Sequence, residues 1–196
     1  MSMATGSVER SVDPSILPPK WVRLLRSALL LVVGLIVTFS ATFHERFAFD
    51  LALVALALAA LGVVHLTEAW HRRGRGGVGV AAALGIASLA AAALLATFNS
   101  ELAFAVVIAA WALVAALLEF VGMVTLPRSR QDAALVGAAG ILLAITVLLA
   151  RADVVAVIGF FGAYAVLTGV FLGIAALDSR AAAEPQTLGQ NAAANA

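Results

Sequence analysis

Six long apolar runs dominate this sequence and leave it few ways to fold. They are approximately Val22–Phe43, Phe47–Trp70, Gly76–Phe98, Leu102–Leu126, Ala133–Ala150 and Val154–Leu177. A helix needs about 20 mostly apolar residues to cross the hydrocarbon core of a bilayer. Each run is apolar around its whole circumference, as in a helix solvated by lipid rather than one lying on a soluble core. Ala and Leu prevail and nothing alternates, so the short alternating strands of a membrane barrel are excluded. In lipid, backbone polar groups of such runs can be satisfied only within a helix. The expected fold class is an all-α membrane protein with six transmembrane helices. Composition agrees: 63% of residues are hydrophobic and 12% charged. That is about half the roughly 25% charged share of soluble domains, too little to cover a water-facing globule.

The breaks fall where polar residues gather. His44, Glu45 and Arg46 separate the first two runs, Asn99–Glu101 the third and fourth, and Arg151–Asp153 the fifth and sixth. The two other connections, His71–Gly77 and Pro127–Asp132, are short and basic. The chain thus reads as three tandem helical hairpins, about 22–70, 76–126 and 133–177, within a membrane domain spanning 21–178. Of the 12 Lys and Arg residues, only Arg46 and Arg151 fall on the side of the three hairpin turns. The excess of basic residues marks the cytoplasmic side, so both termini are expected there, in a multi-pass protein of the bacterial inner membrane. Trp21 and Trp70 would anchor the inner interface, and Phe43, Phe47, Phe49, Phe98 and Phe104 cluster at the outer one. Residues 1–20 and 179–196 have little to bury and are expected to be disordered. The N-terminal stretch lacks the apolar core of a cleavable signal peptide, so the first run reads as an uncleaved anchor.

The hairpins recur with a period of roughly 50–55 residues, the kind of spacing that marks an internal repeat. Gly34, Gly85 and Gly140 fall in the first helix of each, and Gly62 and Gly169 at matching places in the second. Each hairpin starts and ends inside, so the repeats are parallel rather than inverted. Lipid supplies no hydrophobic drive between helices, and packing needs small residues that let backbones approach. Gly34, Gly140, Gly169 and Gly173 are the candidate packing positions. For the Gly169/Gly173 pair two readings stand: packing within the chain, or a dimerisation face.

The run Gly162–Leu177, GAYAVLTGVFLGIAAL, together with Gly34-Leu35 and Gly140-Ile141, resembles the helix patterns of the HdeD-like family of small bacterial six-span membrane proteins. The resemblance extends over about Trp21–Asp178. Family members often carry a proline at the outer end of a hairpin, and these turns hold none. The resemblance implies a non-enzymatic protein of hairpin repeats, associated in the family's namesake with acid resistance, and assigns no functional residue.

Glu119 is the residue most out of place, a carboxyl near the inner end of the fourth run. A charge at a span's centre costs about 2.5–3.5 kcal/mol on insertion scales, and such groups usually face the bundle and find a partner. It is read either as a proton- or ion-binding group, or as a carboxyl tied to a neighbouring helix. His65, Glu68 and His71 recur every three residues at the end of the second run. A metal site would need further ligands, whereas Glu68 and Arg72 suit an i,i+4 ion pair. His65 is a candidate partner for Glu119. At the outer turns Glu45, Asp50, Glu101 and Asp153 are carboxylates expected to lose their charge as external pH falls, leaving Arg46, Arg151 and His44 as positive charge. Cysteine is absent, as are nucleotide-binding and hydrolase motifs, so no catalytic residue, metal or cofactor is expected. The basic residues, including the Gly74–Gly77 turn, suit anionic lipid headgroups rather than nucleic acid. The expected role is structural or stress-related. The alternatives are a small transporter or channel using Glu119, and an accessory subunit. The expected partners are membrane lipids and either further copies of the chain or other membrane proteins.

Overall fold

The computed structural model describes residues 20–44, 46–74, 77–125 and 130–178. Of the terminal segments expected to be disordered, residues 1–19 and 179–196 lie outside the described residues, as do 45, 75–76 and 126–129 in the turns, whereas Lys20 opens the first helix. Six helices carry the chain: α1 Lys20–Phe39, α2 Phe47–His71, α3 Val78–Thr97, α4 Glu101–Thr125, α5 Arg130–Leu149 and α6 Val154–Asp178. There is no strand among the described residues. All six helices are long and apolar enough to cross a membrane. At 1.5 Å per residue they run about 30–37 Å, matching a hydrocarbon core of about 30 Å.

The first run ends earlier than its hydropathy implies. α1 stops at Phe39, and Ala41–Phe43 form a 3-10 turn. The Phe43 amide reaches back to Ser40 and the Arg46 amide to Phe43, which folds the chain over before α2 begins. At the next bend Gly77 enters α3 with φ 80°, a left-handed conformation that glycine adopts without a Cβ clash.

Each helix packs on its sequence neighbours and α1 closes against α6, so the six form a ring. The closest packing is α2 on α3, α4 on α5 and α1 on α6, tighter than between the two helices of any sequence hairpin. The reason lies in the small residues. A Cβ added to Gly62 would stand 3.0 Å from the Gly85 carbonyl, one on Gly34 3.0 Å from the Gly162 carbonyl, and one on Gly140 3.1 Å from the Ala112 carbonyl. Each of these backbone approaches joins one of the three tight pairs, and α1 and α6 touch again at Gly169, where an added Cβ would stand 2.8 Å from the Leu31 backbone nitrogen. Gly169 and Gly173 also face α1, against Leu30, Leu31 and Ser27. The Ser27 hydroxyl donates to the Gly169 carbonyl over 2.7 Å.

Cross-helix contacts fix which ends lie together. At one end, the basic end, Arg23 Nη2 donates to the Ala175 carbonyl at 2.9 Å, and Trp21 meets His71 edge to face at 5.2 Å. Arg73 lies over the Trp70 ring, 3.3 Å from its centre. At the far end Phe47 meets Phe104 at 5.7 Å and Phe43 meets Phe49 at 5.5 Å. The interior is filled by Leu58, Leu95, Phe104, Ile108, Ile158 and Phe161, all fully buried. The outside carries Leu56, Val63, Ile86, Leu117, Val124, Leu142 and Leu149, all exposed. An apolar outer wall of that extent requires lipid as its solvent.

Gly34→Ala tests the closest approach. The new methyl would meet the Val166 backbone nitrogen at 2.8 Å, which can yield only if α1 and α6 separate. The expected loss is about 1–3 kcal/mol, measured by unfolding in mixed micelles. Gly79→Ala, which meets nothing within 4 Å, is the control.

Candidate functional site

Polar side chains enter the ring at two places. The first lies in the half nearer the basic end. On α1, Ser27, Leu30, Val33, Gly34 and Val37 form the buried stripe, and the helical period brings Arg26 to its edge. On α4, Ala105, Ile108, Ala109, Ala112 and Ala116 are buried, and Glu119 extends this face at the next turn. Arg26 Nη2 donates to Glu119 Oε1 at 2.5 Å, with both side chains mostly buried. The partner that Glu119 needs is therefore an arginine 93 residues away. Sequence reasoning grouped that arginine with the cytoplasmic charges. Its position four residues before Leu30 and eight before Gly34, on the packing stripe, was the available signal.

A small cavity of about 10 Å³ adjoins this pair. Arg26, His65, Ser88, Trp111, Glu119 and Tyr164 line it from α1, α2, α3, α4 and α6, among apolar side chains. Trp111 Nε1 donates to Ser88 Oγ at 3.0 Å, and Ser88 donates to the Leu84 carbonyl at 2.8 Å. Trp111 and Tyr164 pack edge to face at 6.0 Å. Beyond them, toward the far end, Leu95, Phe104, Ile108, Ile158 and Phe161 close the interior. His65 is buried and shares this cavity wall with Glu119, but the hydrogen bond of Glu119 goes to Arg26.

The other two residues of the His65, Glu68 and His71 series point elsewhere. Glu68 pairs with Arg72 at 2.8 Å, four residues on. Nδ1 of His71 lies 2.8 Å from the Thr67 carbonyl on an exposed face. Among the described residues no three of His, Asp and Glu converge as a metal site would require.

The second polar place is at the far end. Asp50, in the first turn of α2, is fully buried rather than facing outward with the turn. His44 lies between two acceptors: Nδ1 is 2.5 Å from Asp50 Oδ1, and Nε2 is 2.9 Å from the Val37 carbonyl. Only a ring with hydrogen on both nitrogens can donate to both. Burial opposes the positive charge of His44, but the Val37 carbonyl and the Asp50 carboxylate together outweigh it and raise the pKa above the ordinary 6.5.

A closed ring of six apolar helices, holding among its described residues the buried Arg26–Glu119 and Glu68–Arg72 ion pairs and the buried His44–Asp50 contact, defines the class: a multi-pass, all-helical membrane protein. No protein-family model, curated protein or solved structure matches the chain.

Two outcomes follow for these centres. Arg26→Leu or Glu119→Leu alone strands a charge inside the bundle and should cost about 3 kcal/mol, while the double variant should lie much nearer the wild type. A double-variant cycle on unfolding in mixed micelles measures this. For His44, a pKa raised by folding contributes stability in full below pH 6.5. That contribution is lost as pH rises through the raised value. Amide exchange of residues 40–44 should therefore quicken as pH climbs through that window, after correction for intrinsic exchange, and His44→Gln should flatten the dependence.

Proposed function

We propose that this chain is a non-enzymatic, HdeD-like protein of the bacterial inner membrane with a structural, stress-related role, both termini facing the cytoplasm. One observation carries the structural part. Glu119, the residue that a transport pathway would use, is occupied by Arg26, and the interior beyond it is apolar and closed. A carrier or channel needs polar groups lining a route across the bundle, and here they stop at Trp111 and Tyr164. The ion pair acts instead as a clamp, joining α1 to α4, two helices that are not neighbours in the ring.

The membrane and orientation rest on the placing of basic residues, ten on the terminal side and two on the other. The stress-related part rests on the resemblance around Gly162–Leu177.

A complementation experiment tests both parts. A host strain lacking the chain should lose survival at low external pH. The Arg26→Leu/Glu119→Leu variant should restore it, because a clamp needs packing rather than charge. Unchanged survival of the deletion strain would refute the stress-related role. Failure of a well-expressed double variant would refute the structural one and favour transport through Glu119.

A further inference from the structure

Two polar atoms at the central cavity are left over after every hydrogen bond within the described residues has been assigned. Arg26 Nε and His65 Nδ1 are both buried and have no partner among the described residues. Both residues line the same cavity. Glu119 occupies Nη2 of Arg26 and does not serve its Nε. In hydrocarbon an unsatisfied N–H is costly, because no solvent reaches it.

The size of the cavity limits what can meet these atoms. A polar cavity holds a water once it offers roughly 10–15 Å³ to a water-sized sphere and two to four polar partners. At about 10 Å³ the cavity takes one such molecule. A phosphate, a sugar or a lipid headgroup is too large for it.

We propose that this cavity is a binding site for a single water, held between Arg26 Nε and His65 Nδ1. The hydrogen-bonding chemistry sets its roles. A guanidinium only donates, so whatever meets Arg26 Nε must accept. A neutral imidazole has one N–H and one lone pair. The water accepts from Arg26 Nε–H and donates to the lone pair on His65 Nδ1, which fixes the His65 hydrogen on Nε2. The Glu119 carboxylate, in the same wall, is an acceptor for the second hydrogen of the water.

This water gives α2 a polar tie to the α1–α4 clamp, although α1 and α2 pack only lightly on each other. It also accounts for a buried ring nitrogen, His65 Nδ1, with no partner among the described residues. Leu30, Leu61, Leu84, Ala115, Ala116 and Val136 complete the cavity wall. The inference does not depend on the stress-related role.

Solid-state NMR on the full chain in lipid vesicles, with nitrogen-15 in its three histidines, tests the site. The His65 signals are identified by their loss in His65→Phe. The expected result is an Nδ1 without its own hydrogen, showing a cross-peak to water protons. Ala115→Leu, which adds volume at the cavity wall, should abolish that cross-peak. A His65 Nδ1 that carries its own hydrogen, or shows no water contact in the wild type, would overturn the proposal whatever the variant does.

Discussion

Lipid leaves the helices of this protein without the force that assembles soluble bundles. Apolar side chains gain nothing by leaving hydrocarbon for a hydrocarbon-like interior. What remains is close contact between backbones and the few polar groups that lipid cannot satisfy. The first explains why glycines, and one alanine-rich stretch, mark the three tight helix pairs. It also explains why those pairs are not the hairpins that the loops outline. A short turn brings two helix ends together, but only small residues facing one another allow the helix bodies to touch. Gly62 faces Gly85 across α2 and α3, and Gly34 faces Gly162 across α1 and α6.

Polar groups work on top of that packing. The Arg26–Glu119 pair joins α1 to α4 across the ring, which adjacency alone does not do. His44, Asp50 and the Val37 carbonyl tie the far end of α1 to the start of α2, where direct helix contact is light. Each polar centre therefore lies where small-residue packing is weak. Between the two centres, Leu95, Phe104, Ile108 and Phe161 leave no polar group. The centres are separate local fastenings and not stations on one path.

Hydropathy made most of the fold legible, since six runs of the right length in a chain this apolar admit one solution. Helix ends were legible to within a few residues except after Phe39, where backbone turns decide the stop. The site was legible in part. Glu119 was conspicuous because a carboxyl in an apolar run breaks the pattern. Arg26 was not, because an arginine at the start of a span is common and reads as a topology signal. Asp50 was hidden for the same reason: a carboxyl beside a turn looks solvated until the turn is seen folding over it. His65 was visible as a polar interruption, but its neighbours in space were not.

By itself the sequence determined the solvent, the number of spans and the alternation of basic and slightly acidic ends. Those follow from transfer energies that add along the chain, residue by residue. Only the tertiary structure decided that α1 closes on α6, that Arg26 rather than His65 meets Glu119, and that Asp50 turns inward to His44. These depend on the rotation of each helix about its own axis. Helices apolar all round do not encode that rotation in their hydropathy; it is set where a missing side chain on one helix meets a missing side chain on another.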